Sequence, residues 1–357
     1  MLPLTRFQNS PPAAVCILRI SAIGDVCHTL AVLRTLQAAW PATRFTWIIG
    51  TAEHKLMSLV PSVEFISYDK RGGLAELWRL RQLLASRRFD LLLHMQVALR
   101  ASLVSTLVHA PVKLGFDRSR ARELQWLFTT DRIHPGGDQH VLDSLYGFAE
   151  AVGVHDHELR WDIPVPLDAR AYAAALVDDA RRTLVVSACS SHPLRNWRPE
   201  FYAAVADHAA RAHDMRVILC GGPGVVERRM ADAIVAAAAM PVIDQVGKDT
   251  LPQLLALLAR ADALLAPDSG PAHMATAVGT PVIGLYAATN AARSGPYLSR
   301  ASCVDRYAEA ARLFLGAEPA QLKWTTKIER PGVMDLITPY DVIAKLDVLM
   351  RHPLRRR

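Results

Sequence analysis

Six consecutive residues, Asp268-Ser269-Gly270-Pro271-Ala272-His273, place a carboxylate, a hydroxyl, a glycine and an imidazole together. They follow a short apolar run and open a small-residue stretch with helical spacing. Pro271 suits the first turn of a helix, where its missing N–H costs nothing. Gly270 lets the backbone approach a ligand closely. The helix start offers unpaired N–H groups and a positive dipole end, so the chemistry implied is anion binding, with His273 as a further donor. A second loop, S-A-C-S-S-H-P-L-R-N-W from Ser187, carries Ser190 and Arg195 after another apolar run. Small hydroxyls and one arginine leading into a helix suit a diphosphate. A third candidate is Asp25, directly after Gly24 on the first strand-to-helix loop. Its local sequence is also that of a helix cap. Glu227 follows C-G-G-P-G-V-V, an approximate glycine-rich loop whose third glycine it replaces, and a first-turn glutamate is favoured by the helix dipole in any case. Asp249 or Thr250, in G-K-D-T-L, reads as a cap.

Apolar runs alternating with helical patterns must position these residues. Strands are expected at 15–20, 44–50, 63–68, 90–95 and 112–115, and again at 183–188, 216–220, 242–245, 263–266 and 282–286. Helices are expected at 26–39, 53–60, 74–86, 98–109, 139–152, 169–181, 199–212, 225–238, 251–260 and 272–278. This alternation implies parallel, doubly wound α/β sheets. Residues 116–137 break the pattern with a loop-rich basic stretch, Arg118, Arg120, Arg122 and Arg132, after Lys113. Residues 154–168 hold prolines, mixed charge and no period, and read as a linker. The expected division is 1–153, the linker, 169–338, and a last segment 339–357 whose helix could return to the first half. Its tail, Arg355–Arg357, is expected to be disordered.

Two motifs carry a family resemblance. S-A-I-G-D-V-C-H-T-L around Asp25 resembles S-x-x-G-D-V-x-H-T-L, and D-S-G-P-A-H with a following G-T-P resembles the D-[ST]-G-x-x-H…G-x-P of the lipopolysaccharide heptosyltransferases, glycosyltransferase family 9. The likeness spans residues 15–350. G-F-D-R-x-x-A-R-E and the Q-H pair at His140 resemble the heptosyltransferase I type. The resemblance implies the GT-B fold, two Rossmann-like domains facing a cleft. It implies Asp25 as general base, and Glu227 beside the donor's nucleoside. Arg195 stands where the family usually has a lysine and keeps the charge, with bidentate geometry added. The implied reaction moves L-glycero-D-manno-heptose from ADP-heptose to the 3-deoxy-D-manno-octulosonic acid of lipid A-linked core. The donor-binding candidates are then Gly24, Ser187, Ser190, Arg195, Glu227, Asp268, Ser269, Gly270 and His273. Arg118, Arg120, Arg122 and His140 are the acceptor candidates.

The 357 residues carry a net charge of +7 and are 51% hydrophobic, enough for two cores and suited to an acidic partner. Charge alone admits nucleic acid, anionic lipid or phosphosugars; the resemblance selects an ADP-sugar and a lipid-linked acceptor, not nucleic acid. Five cysteines without metal-ligand spacing suggest a reduced, cytoplasmic protein. No signal sequence or membrane-spanning run is expected, so contact with the inner membrane would be peripheral. There is no D-x-D and no His/Asp/Glu cluster at ligand spacing, so metal-free catalysis without a cofactor is expected. The rival readings are a sister transferase with a different acceptor or donor, a nicotinamide-dependent oxidoreductase, for which the true G-x-G-x-x-G is missing, and a non-catalytic sugar-nucleotide binder.

Overall fold

The central strands are short runs rich in Val, Ile and Leu, and every residue of β1 (Ala14–Leu18) is buried. Such uninterrupted apolar strands belong in parallel sheets covered on both faces. The computed structural model describes residues 4, 6–178 and 180–351. The expected disorder at Arg355–Arg357 lies outside the described residues. The chain forms two units, Met1–Pro164 and Val165–Arg357.

In the first unit, β1 is joined by β2 (Arg44–Gly50), β3 (Glu64–Tyr68), β4 (Leu91–His94), β5 (Val112–Gly115) and β6 (Asp131–Arg132). The sheet is parallel and six-stranded, in the order β3-β2-β1-β4-β5-β6. The second unit repeats the plan with β7 (Thr183–Ser187), β8 (Arg216–Cys220), β9 (Ile243–Asp244), β10 (Ala263–Pro267), β11 (Val282–Tyr286) and β12 (Val304–Asp305). Its order is β12-β11-β10-β7-β8-β9, again parallel. In each sheet the chain winds outward from its first strand, then returns to that strand's other side. The reversal lies between β1 and β4, and between β7 and β10. Open α/β sheets bind ligands outside the strands' carboxyl ends at this point.

The helices Gly73–Leu84 and Leu99–Thr106 cover one face of the first sheet. Their Leu80, Leu84, Ala101 and Val104 join Ile48 and Leu92 in one core. In the second unit, Trp197 and helix Pro199–His213 anchor the larger core. The Trp197 indole is buried and donates to the Ile337 carbonyl at 2.9 Å. The terminal helix Pro339–Met350 buries Val342 and Leu346 in this second core.

The structure departs from the expected elements in three places. The helix expected from residue 26 begins at Ile23. The basic stretch read as loop contributes β6 and a 3-10 turn, Gln125–Leu127. Between β12 and the terminal helix the chain runs through 3-10 and π turns. All five cysteines are free, and four are buried. Burial raises every one of these thiols from 9.0, to about 12 for Cys27 and Cys303, higher still for Cys16 and Cys220, and to about 11 for half-buried Cys189. Among the described residues, no helix is long and apolar enough to cross a membrane.

Candidate functional site

In the first unit the loop after β1 delivers Gly24 and Asp25. Asp25 is not the cap residue: helix Ile23–Ala39 is preceded by Ala22, and Asp25 stands at the third helical position. Its Oδ2 accepts from the Ala22 N–H at 3.3 Å and forms an ion pair with Arg19. Arg19, nearly buried just past β1, also donates to the Met95 carbonyl after β4. Gln96 completes the support. Its Oε1 accepts from the Ile20 and Ser21 N–H groups at 2.6 and 3.3 Å, tying the two loops together across the strand-order reversal. Gln125, fully buried, donates to the carbonyls of His94 and Gln96 at 2.9 and 3.0 Å. His94 is buried among these groups, and burial, then Lys113 and Arg19, lower its pKa to about 3, so it is neutral. Sequence reasoning passed over Arg19 because it ends an apolar strand run.

In the second unit the loops after β7 and β10 flank the corresponding reversal. Ser187 ends β7 and is buried. Ser190 donates through N–H to Asn196 Oδ1 at 2.8 Å and through its hydroxyl to the His192 carbonyl at 3.0 Å. Arg195 ends the turn Pro193–Arg195 and is buried, with Nε and Nη2 both donating to Glu329 Oε1 at 2.8 and 2.5 Å. After β10, Ser269 precedes helix Gly270–Ala277, which buries His273. Asp268 Oδ2 accepts from the Ser294 hydroxyl at 3.2 Å.

Two charged residues of this neighbourhood, Lys327 and Glu329, escaped the sequence reading. Ile328 between them is buried and donates to the Ala288 carbonyl beyond β11 at 2.8 Å. Partial burial, then the charge of Arg195, lowers the Lys327 ammonium, while Glu329 and Asp268 oppose this. Burial raises the Glu329 carboxyl, but Arg195 first, then His192 and Lys327, hold it below 4.5.

Glu227 lies in the first turn of helix Val225–Ala237 and lines a recess with Cys189, Cys220 and Val246. Thr250, not Asp249, caps helix Leu251–Arg260, in a reciprocal box with Gln253. Burial raises Asp249 to about 6.

The acceptor candidates separate by environment. Arg118 and Arg122 are exposed, and Arg118 lies over the Trp126 ring at 5.4 Å. Arg120 is committed to the loop itself: it pairs with Asp117 and donates to Ser144 Oγ at 2.8 Å and the His134 carbonyl at 2.6 Å. Lys113 points inward, donating to the Ser105 carbonyl at 2.8 Å. His140 is buried and caps helix Val141–Ala151, its Nδ1 accepting from the Leu142 N–H at 3.0 Å. The expectation of no metal-ligating cluster needs one correction. Among the described residues, His208, His213 and Asp347 bring three ligand atoms within 4.8 Å of one another. The histidines come from helix Pro199–His213 and the aspartate from the terminal helix, a separation that sequence spacing cannot reveal.

Two doubly wound sheets of the same strand order, with polar loops at both reversals, are the build of the GT-B fold. The model of glycosyltransferase family 9 (heptosyltransferase) matches residues 77–319. The chain is 40% identical over 338 residues to the lipopolysaccharide core heptosyltransferase OpsX of Haemophilus influenzae, covering 95% of this chain and 97% of that one. It is 27% identical to lipopolysaccharide heptosyltransferase 1 of Escherichia coli K12, covering 79% and 90%. Among solved structures, a glycosyl transferase family 9 protein from Veillonella parvula shares the fold at a TM-score of 0.77 with 22% identity, over 95% and 97% of the two chains. The E. coli heptosyltransferase WaaC, solved with ADP, aligns at a TM-score of 0.67 with 25% identity, over 79% and 90%. The chain belongs to glycosyltransferase family 9, the heptosyltransferases.

Proposed function

We propose that this enzyme transfers L-glycero-D-manno-heptose from ADP-heptose to the 3-deoxy-D-manno-octulosonic acid of lipid A-linked lipopolysaccharide core, without a metal and with inversion at the anomeric carbon. The observation that carries the reading is the anchoring of Asp25. Both of its contacts use Oδ2. Oδ1 has no partner among the described residues and is the oxygen to take the acceptor hydroxyl's proton. One carboxylate acting as base fits a single displacement, which reverses the configuration of the attacked carbon.

The second unit holds the donor. Ser187, Ser190, Ser269 and Gly270 line the two loops, the start of helix Gly270–Ala277 faces the diphosphate with His273, and Glu227 faces the nucleoside. Glu329 occupies one edge of the Arg195 guanidinium and aims the Nη1 edge at the phosphates. Lys327 adds a second cation as negative charge develops on departing ADP. Arg118 and Arg122 meet the acceptor's carboxylates and phosphates, while Arg120 and His140 hold that loop and helix in shape. Support for this donor and acceptor comes from WaaC, solved with ADP and with ADP-2-deoxy-2-fluoro heptose, and from OpsX, named for the lipopolysaccharide core. The enzyme works at the cytoplasmic face of the inner membrane as a peripheral protein.

The test is turnover of purified enzyme with ADP-heptose and lipid A-linked core in EDTA, with the product anomer read by NMR. Inverted product without added metal is the expected result. Retention of configuration, a requirement for magnesium, or use of only a heptose-bearing acceptor would overturn the corresponding part.

A further inference from the structure

The first unit leaves large apolar side chains exposed on three elements tied to one another. Helix Gly73–Leu84 exposes Leu74 and Trp78, four residues apart, at 84% and 63% exposure. Helix Leu99–Thr106 exposes Leu99 and Leu103 at the same spacing. The opposite sides of both helices share one core on one face of the sheet, so their outer sides point away from it together. The 3-10 turn Gln125–Leu127 adds exposed Trp126 and Leu127. Two contacts bind these elements into one surface: Glu123, next to the turn, accepts from the Leu99 N–H at 2.5 Å, and Arg100 donates to the Lys70 carbonyl at 3.0 Å.

Cations accompany this face. Arg71, Arg100, Arg118 and Arg122 are all exposed on or beside these elements. Of their acidic neighbours, Glu76 is buried and paired with Arg79, while exposed Asp69 and Glu123 accept from the Arg71 and Leu99 N–H groups, so arginines outnumber exposed carboxylates on these elements. Large contiguous apolar surface is rare on a protein that meets only water. Tryptophans and leucines ringed by arginines match the chemistry of an anionic bilayer surface, where rings and alkyl chains enter the headgroup boundary and guanidiniums pair with phosphates.

We propose that Leu74, Trp78, Leu99, Leu103, Trp126 and Leu127, with the arginines around them, are the surface by which this protein docks on an anionic lipid leaflet. The proposal deepens the peripheral-membrane part of the proposed function by assigning it to residues. Docking of this kind needs neither donor nor acceptor, so it succeeds or fails independently of the transferase assay.

The experiment is co-sedimentation of the full chain with vesicles of phosphatidylcholine alone and of phosphatidylcholine with phosphatidylglycerol, comparing native protein with the double variant Leu74→Ser/Trp78→Ser. Both positions are mostly exposed, and circular dichroism checks that the variant stays folded. Native protein should sediment with the anionic vesicles, release as salt rises, and show blue-shifted tryptophan emission. The variant should bind those vesicles at least about tenfold more weakly. Native protein that ignores anionic vesicles overturns the assignment. So does a variant that binds them as well as native protein, or a native dimer in solution that the two substitutions dissociate, which would show that a second copy covers the face.

Discussion

Asp25 is held at one oxygen by Arg19 and by a backbone N–H, so its role can be separated from its capping contribution. Asp25→Asn retains the size and an oxygen for the Ala22 N–H. It should unfold like native protein and bind ADP normally, while kcat falls by about 10²–10⁴. Early melting would return Asp25 to a structural role. Arg19→Ala removes the group that aims the carboxylate, and should lower kcat with little change in the donor KM. Lys327→Gln should weaken ADP by about tenfold, as loss of one charge-assisted contact does, and leave AMP less affected. Calorimetry with both nucleotides checks this, and equal losses for the two would place Lys327 away from the β-phosphate. At this scale the sequence showed Asp25, Arg195 and the Asp268–His273 loop, because each stands in a short local pattern after a strand. Gln96 and Glu329 stayed hidden because their partners are distant in sequence, Arg195 and Glu329 lying 134 residues apart, while Arg19 and Lys327 stand in no recognisable local pattern. Arg120 and His140 have partners close in sequence, Asp117 three residues away and the Leu142 N–H two residues away, with Ser144 farther off, but only the fold shows these contacts.

The terminal helix Pro339–Met350 is held on helix Pro199–His213 partly by polar contacts, with His208 and His213 Nε2 each 2.7 Å from Asp347 Oδ1. Burial raises the Asp347 carboxyl, but hydrogen bonds from His213 and His208 hold it below 3.8. A carboxyl lowered on folding stabilises the protein above its unfolded range, and that contribution is lost as pH falls through the lowered value. Asp347 is part-exposed, so the effect is screened. Asp347→Asn should lower Tm by about 1–3 °C near neutral pH. The gap to native protein should close as pH drops below 3.8, as scanning calorimetry would show. A gap constant across pH would mean that packing, not charge, holds the helix. Elements with a sustained apolar run, such as β2 and β11, were legible to within a residue. The two-residue strands β6 and β12 were not, whereas equally short β9 fell inside the expected 242–245. The turns between β12 and the terminal helix lack any repeat, and they carry Lys327 and Glu329.

As a whole, the molecule pairs two sheets of one strand order, each with its own buried core. The α/β class and the twofold division follow from strands alternating with helices, which a single sequence displays well. Separate cores predict separate folding. A fragment beginning at Val165 should unfold cooperatively and bind ADP, since its loops after β7 and β10 are complete without the first unit. It should show no turnover without Asp25. Calorimetric titration of the fragment with ADP decides the point, and a fragment that is folded yet blind to ADP would require the first unit for donor binding.

The buried thiols have a practical consequence. Alkylating reagents need an accessible thiolate; four of the five cysteines are buried, and burial raises all five thiols, half-buried Cys189 included, so far less thiolate forms than at an exposed cysteine. The natural chain is therefore close to a silent background for maleimide chemistry. A cysteine introduced at Leu74 would take a fluorophore selectively, with no need to strip the native thiols from the cores. Its emission would report directly whether that helix enters a bilayer.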